Sequence, residues 1–278
     1  MGIKTRRLIV VLVALVGVAV WLVVNPASYE EVFRRVENGG ADYAAVASGG
    51  AGSDADGDSA ESEGDANGGG IGGGDTSDGG GKTSDGGGHA APLATEILAK
   101  LEVKGRAPKT GYARDEFYNG WPTVDGCSLR QKIIRREFGA SAMMDGCNVL
   151  SGEYEEPYTG QYLKYATREE ISKGVQIDHV VALSDAWQKG AQYMEYETRY
   201  AMATDPLNLL AVDASANSRK SDGDAATWLP PNKKFRCQYV ARQVSVKYRY
   251  GLWVTEAEKD AISAVLEACP GERAVGVE

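Results

Sequence analysis

The hydrophobic and polar positions divide the chain into three regions. An unbroken apolar run covers residues 8–24. From about residue 48 to residue 89 the sequence is mostly Gly, Ser and Asp, and Ile71 is its one large apolar side chain. Such a stretch cannot bury enough apolar surface to offset the conformational entropy lost on folding. We therefore expect a folded core only from Pro92 onward.

Periodicity after Pro92 predicts alternating helices and strands. Alternation of apolar and polar residues over 147–165, interrupted by Pro157 and Gly160, predicts a hairpin or a pair of short strands. A capping-box pattern at Thr167 opens a short helix that ends at Gly174. Further helices are predicted at residues 95–101, 129–138, 183–191, 233–249 and 255–268.

The sequence pattern of residues 175–220 predicts a small unit of two strands followed by a helix. A β-branched run ends at Asp178 and His179, residues 205–212 predict a turn into a second strand, and Asp213 caps a helix that runs through Lys220. Adjacent residues of a strand point to opposite faces, so Asp178 and His179 should do so. The fold class predicted is α+β, with a small ββα core embedded in a mainly helical domain.

The apolar run at residues 8–24 follows a basic segment, which is the pattern of an export signal or a single membrane anchor. The basic flank is expected to stay inside and to direct the rest of the chain outward. The predicted organisation is a signal peptide or anchor at 1–27, an extracytoplasmic linker at 28–91 and a folded domain at 92–278. Asn25, two residues before Ala27, is not the small residue that cleavage prefers, which slightly favours an uncleaved anchor.

Four cysteines follow residue 91 and none forms a Cys-x-x-Cys pair. Outside the cytoplasm they predict two disulfides, and three connectivities are possible. We favour pairing between sequence neighbours, Cys127 with Cys147 and Cys237 with Cys269, which closes loops of 20 and 32 residues. Each bridge would contribute roughly 3–4 kcal/mol by the loop-entropy model. A four-thiolate zinc site would need paired short spacings that are missing here.

The formal net charge of −9 belongs mostly to the front of the chain. Residues 1–91 hold 6 basic and 13 acidic side chains, whereas residues 92–278 hold 24 and 26. Residues 225–255 carry basic side chains without any acidic one, which predicts either a surface that faces a polyanion or an ordinary solvated helix face. These basic residues are Lys233, Lys234, Arg236, Arg242, Lys247 and Arg249.

The residue types at the strand end suit phosphodiester hydrolysis, which needs an activated water and a group that offsets charge on the phosphate. His179 is the only histidine after residue 91, and with an unperturbed pKa of ~6.5 it can accept a proton from water. Asp178 is an oxygen ligand suited to Mg²⁺ or Mn²⁺, and Asn217 can supply a second oxygen. Asp222 or Asp224 remain alternatives to Asn217, and His179 alone would more often be a structural histidine.

Three more residues of the unit are candidates. Asn208 is expected to hydrogen-bond the backbone or His179 and so orient the ring, or simply to satisfy backbone groups in a turn. Lys220 or Arg219, in the last turn of the predicted helix, can contact the scissile phosphate.

Asp178-His179 at a strand end, Asn208 between two leucines, and the Asn-x-x-Lys-Ser-Asp motif that starts at Asn217 resemble the HNH endonuclease superfamily, in the version whose last His is replaced by Asn. The wider sequence, over roughly residues 92–269, is similar to secreted actinobacterial HNH proteins related to the C-terminal domain of GmrSD restriction enzymes. The resemblance implies His179 as general base, Asp178 and Asn217 as metal ligands and Asn208 in support. The motifs that carry it are Tyr158-Thr159-Gly160, Ile177-Asp178-His179-Val180-Val181, Asp205-Pro206-Leu207-Asn208-Leu209, Trp228-Leu229-Pro230-Pro231 and Cys237-Gln238-Tyr239-Val240.

Together these features predict an endonuclease that depends on Mg²⁺ or Mn²⁺ and hydrolyses extracellular nucleic acid, DNA more than RNA. The alternative is a catalytically silent extracytoplasmic module that binds nucleic acid on the same scaffold. No protein partner is predicted, and contact with the membrane would come through the N-terminal segment if it is not cleaved.

Overall fold

The computed structural model describes residues 91–277, which adopt the α+β fold expected from the sequence. The strands of this part of the chain are β1 Thr123–Val124, β2 Cys127–Ser128, β3 Met143–Asp145, β4 Asn148–Glu155, β5 Tyr162–Tyr165, β6 Val175–His179 and β7 Leu209–Asp213. Its helices are α1 Ala94–Lys100, α2 Leu129–Phe138, α3 Arg168–Gly174, α4 Leu183–Gln188, α5 Tyr196–Thr204, α6 Ala214–Lys220, α7 Arg236–Arg249 and α8 Glu256–Glu267. The strands form three small antiparallel sheets, β1-β2, β3-β4-β5 and β6-β7.

The two-stranded sheet β6-β7 and helix α6 form the predicted ββα unit. Strands β6 and β7 are antiparallel, with His179 opposite Leu209 and Asp178 opposite Leu210. Helix α6 begins directly after β7 because the carboxylate of Asp213 accepts a hydrogen bond from the backbone N–H of Ala216.

Both faces of this sheet are buried, by different parts of the chain. Ile177 and Ala211 pack with residues of α2 and β4 on one side. Leu210 and Val212 pack with residues of α1, α7 and α8 on the other. Two strands covered on both faces are held firmly, so side chains at the end of β6 have well-defined positions.

The predicted hairpin, the capped helix α3 and the two long C-terminal helices are confirmed. Helix α5 was missed because only its last turn, from Ala201 to Thr204, is buried, which leaves a weak apolar pattern. Asn208 was expected on the second strand but ends a 3₁₀ turn just before it. That turn forms because the carboxylate of Asp205 accepts from the backbone N–H of Leu207.

The two disulfides have the predicted connectivity. Cys127 pairs with Cys147 and Cys237 with Cys269, with sequence separations of 20 and 32 residues. The first bridge encloses α2, which packs on the sheet, and the second joins the start of α7 to the end of α8.

The predicted basic surface was wrong for Lys247, which is fully buried in an ionic network. Its ammonium lies 3.0 Å from Glu258 and 3.3 Å from Asp185. Lys189, also fully buried, lies 2.6 Å from Glu258 and 2.7 Å from both Asp185 and Asp224. Side chains as long as lysine can reach inward from a helix when carboxylates compensate their charge, and sequence pattern alone does not reveal this.

Expectations about residues 1–90, including the export signal or anchor and the linker, concern a part of the chain outside the described residues. Within residues 91–277, no helix has the length and apolar character needed to cross a membrane.

Candidate functional site

Asp178 and His179 project from opposite faces of β6, as their adjacency predicted, and each is only 6% exposed. Asp178 lies on the face that α6 covers, together with Gln176. His179 lies on the other face, next to aromatic side chains from the segment before β1. The two candidate residues therefore have separate surroundings.

The imidazole of His179 is oriented by the end of helix α5. Its Nε2 atom lies 2.9 Å from the carbonyl oxygen of Ala203. A carbonyl can only accept, so Nε2 carries the proton and Nδ1 keeps a lone pair. Ala203 lies in the last turn of α5, where carbonyl groups have no partner within the helix and are available to a side chain.

The surroundings of His179 keep its ring neutral. Burial, and after it the positive charge of Arg114, lower the pKa of His179 from its ordinary value to about 3. The hydrogen bond to Ala203 acts in the opposite direction, and the charge of Lys220 adds a smaller lowering effect. At neutral pH the imidazole is thus unprotonated at Nδ1, and it is a weaker base than an exposed histidine.

Aromatic rings hold the plane of the imidazole. The ring of Trp121 is nearly parallel to that of His179, with an interplanar angle of 10° and centroids 6.1 Å apart. The ring of Tyr118 lies 5.8 Å from His179, and the guanidinium of Arg114 lies 5.3 Å above Tyr118. The sequence reasoning missed these three residues, which precede His179 by more than 50 positions and carry no local motif.

Asp178 is held by a hydroxyl and an ammonium group. The hydroxyl of Tyr158 donates to one carboxylate oxygen, and Lys220 Nζ lies 3.0 Å from both oxygens. Lys220 also donates to the backbone carbonyl of His179 at 2.9 Å. Burial raises the pKa of Asp178, while the charge of Lys220 and the bond from Tyr158 act against that rise.

Tyr158 reaches Asp178 from a turn that a buried carboxylate organises. Glu156 is fully buried and accepts from the backbone N–H groups of Tyr158 and Thr159, from the Thr159 hydroxyl and from the backbone N–H of Asp213. Tyr158 belonged to the motifs that carried the family resemblance, but no role was assigned to it. The sequence signal that could have identified Tyr158 is its position two residues after the acidic Glu156 in a predicted turn.

Asn208 stabilises the backbone around the site and does not bond the imidazole. Its Oδ1 accepts from the backbone N–H of Val181 at 2.8 Å, and its Nδ2 donates to the carbonyl of Met202 at 3.2 Å. Met202 and Ala203 are consecutive, so Asn208 and His179 bond neighbouring carbonyls of the last turn of α5. Asn208 therefore ties the chain after β6 to the helix end that orients His179.

The residues predicted to complete a metal site have other partners. The side-chain amide of Asn217 donates to Gln176 at 2.8 Å. Asp222 lies 3.0 Å from Lys109, and Asp224 lies in the buried ionic network. Arg219 is exposed and donates to the hydroxyl of Ser215.

These residues do not fit a divalent ion as they are arranged. The carboxylate of Asp178 and the amide of Asn217 are oxygen donors of the kind that Mg²⁺ takes. The ammonium of Lys220, however, already supplies the positive charge beside Asp178 and is only 2% exposed. Among residues 91–277, no three His, Cys, Asp or Glu side chains gather into a group that could hold a metal ion. A contact between Lys220 and a phosphate is likewise not available in this arrangement, because the ammonium faces the interior.

Comparisons with known proteins place the sequence of this chain in a family. Residues 129–265 match the family model of the C-terminal domain of GmrSD restriction endonucleases. An uncharacterized secreted protein of Arthroderma benhamiae is 36% identical over 184 residues, which cover 65% of this chain and 86% of that protein. No solved structure matches.

Proposed function

Because the chain belongs to the family of GmrSD restriction endonuclease C-terminal domains, we propose that it is an endonuclease that hydrolyses phosphodiester bonds of nucleic acid outside the cytoplasm. The observation that carries the proposal is the hydrogen bond from His179 Nε2 to the carbonyl of Ala203. It leaves Nδ1 as the acceptor on a neutral imidazole, which is the tautomer and protonation state that a general base requires.

In the proposed reaction, Nδ1 of His179 takes a proton from a water molecule. The water oxygen forms a bond to phosphorus while the bond from phosphorus to the 3′ oxygen breaks, and the 3′ oxygen leaves with a proton from solvent. The products are a 5′-phosphate and a 3′-hydroxyl. Asn208 acts as a positioning residue, through the carbonyl groups of α5 and the backbone that follows β6.

We propose an extracytoplasmic location on two grounds. Both disulfides lie in the domain that carries His179, and disulfides persist in oxidising compartments. The relative from Arthroderma benhamiae is described as secreted. DNA is the substrate proposed first, and RNA is tested beside it.

The test is the cutting of supercoiled plasmid DNA and of a folded RNA by the full-length protein, purified with its disulfides intact. Each substrate is incubated with Mg²⁺, with Mn²⁺ and with a chelator. We expect nicked plasmid with the intact protein and none with His179→Ala. If both plasmid and RNA remain uncut under every metal condition, the proposal that the protein is a nuclease is overturned.

A second candidate function is supported by the ion pair between Lys220 and Asp178. In this pair Lys220 occupies the carboxylate with which a metal-dependent nuclease would bind its metal ion. In that case the protein would be a catalytically silent module that binds nucleic acid. It predicts retention of plasmid in a gel-shift assay, with no cutting by the wild-type protein under any metal condition.

A further inference from the structure

Arg114 is an exposed cation whose position is set by buried neighbours. It opens a 3₁₀ turn, Arg114–Glu116, that continues into the buried rings of Phe117 and Tyr118. Arg199 anchors the same turn by donating to the backbone carbonyl of Glu116 at 2.7 Å. The backbone that carries Arg114 is therefore fixed although its side chain meets solvent.

The guanidinium of Arg114 is directed toward Tyr118 and thus toward His179. Its Nη2 donates to the hydroxyl of Tyr118 at 2.6 Å, and its centre lies 5.3 Å from the Tyr118 ring. That ring lies 5.8 Å from the imidazole. Arg114 is also close enough for its charge to lower the pKa of His179.

Within residues 91–277, Arg114 has no carboxylate within ion-pair distance. Lys220, by contrast, is paired with Asp178, and Arg136 is paired with Glu137. A guanidinium has five N–H donors in a planar fork, and the Tyr118 hydroxyl takes one of them. The remaining donors suit an anion with two oxygens, such as a phosphodiester.

We propose that Arg114 is a substrate-contacting residue. It binds the phosphodiester group that is attacked by the water molecule activated by His179. This rests on the proposed nuclease function. The aromatic face of Tyr118 carries the guanidinium, and the ring of Trp121 lies 5.3 Å from that of Tyr118 and nearly parallel to the imidazole. Negative charge that develops on the phosphate during attack would be offset by Arg114.

The test compares Arg114→Gln, Arg114→Lys and the control Arg168→Gln in the full-length protein. Arg168 is an exposed arginine at the start of α3 with no contact to His179 or its aromatic neighbours among the described residues. Loss of one charge-assisted contact should lower kcat/KM for plasmid nicking on the order of 10- to 100-fold in Arg114→Gln. Arg114→Lys should recover part of the loss, and Arg168→Gln should match the wild type.

A binding measurement separates phosphate contact from a structural effect. In chelator, the affinity for a short DNA duplex is measured at several salt concentrations. Loss of one phosphate contact reduces the slope of log K against log salt by about 0.9. We expect this reduction for Arg114→Gln and not for Arg114→Lys or Arg168→Gln, with the thermal midpoint unchanged in each variant.

The outcomes distinguish the two proposals. If Arg114→Gln nicks plasmid as well as the wild type does, and its slope of log K against log salt is unchanged, the proposed role of Arg114 is overturned. The nuclease function is then left intact. Absence of nicking, together with a reduced salt slope in Arg114→Gln, overturns the nuclease function and supports the phosphate contact. A wild-type protein that neither cuts nor binds nucleic acid overturns both.

Discussion

Lys220 Nζ lies 3.0 Å from both carboxylate oxygens of Asp178, and neither side chain is more than 7% exposed. The pair joins helix α6 to strand β6 in the interior of the ββα unit. Removing one partner of a buried ion pair leaves the other charge uncompensated, whereas removing both can be nearly neutral. This pair therefore makes clear predictions about stability and about metal binding.

Lys220→Met is expected to lower the free energy of unfolding by about 3–5 kcal/mol, because Asp178 would stay buried without its cation. Adding Asp178→Asn to the same chain should restore much of the loss, since the amide oxygen can still accept from Tyr158. Urea unfolding at neutral pH measures both. Wild-type stability in Lys220→Met alone would mean that the ion pair contributes nothing.

Metal binding should be limited by the same ammonium. We expect Mn²⁺ to bind the protein weakly in calorimetric titration, and Lys220→Gln to bind it on the order of 10-fold more tightly, because the repulsion between two cations beside one carboxylate is removed. Asp178→Asn in the Lys220→Gln background should abolish the gain. Equal Mn²⁺ affinity in the wild type and Lys220→Gln would show that Lys220 does not compete with the ion.

The low pKa of His179 predicts a pH dependence of stability. Its pKa of about 3 in the folded protein lies below the ordinary value of 6.5. Between these values the unfolded chain binds one more proton than the folded one, so stability is complete above about pH 6.5 and falls as the pH is lowered toward 3.

His179→Gln tests this dependence, because the glutamine amide can still donate to the carbonyl of Ala203 but cannot be protonated. Between pH 4 and pH 6, the unfolding free energy of the wild type should rise with pH more steeply than that of the variant, by up to about 1.4 kcal/mol per pH unit. Parallel curves for the two proteins would contradict the burial argument.

The disulfides should stabilise the domain separately. Replacing both Cys237 and Cys269 with alanine is expected to lower the unfolding free energy by roughly 3–4 kcal/mol, and replacing Cys127 and Cys147 by a similar amount. Chemical denaturation under oxidising conditions, with the reduced wild-type protein alongside, checks both values. Denaturation midpoints that do not change on reduction would refute this prediction.

The buried ionic network predicts that stability is lost when one of its carboxylates is removed, and not when an exposed carboxylate of the same helix is removed. Glu258→Gln leaves the ammonium groups of Lys189 and Lys247 with fewer carboxylates, and about 3–5 kcal/mol of stability should be lost. Glu256→Gln, at an exposed position in the same helix, is the matched control and should change stability by no more than about 0.5 kcal/mol. Similar effects of the two substitutions would argue against a tightly coupled network.

Much of the fold and part of the site could be predicted because their signals are local. Apolar spacing identified α2, and cap residues such as Asp213 marked where helices begin. The absence of Cys-x-x-Cys pairs argued against a zinc site, and the choice of sequence neighbours led to the correct disulfide pairing. The partners of the site residues were not predictable in this way, since the carbonyl of Ala203 belongs to a helix with a weak pattern and Arg114 lies far upstream of His179.

The sequence by itself determined that Asp178 and His179 face opposite sides of a strand, because side chains alternate along any strand. It also determined that Asn217 and Lys220, three positions apart, share one face of a helix. Only the tertiary structure decided which of these two meets Asp178. A strand advances about 3.3 Å per residue and a helix about 1.5 Å, so the pairing depends on how far α6 lies along β6. Packing of the helix on the sheet sets that position, and it brings Lys220 to Asp178 and Asn217 to Gln176.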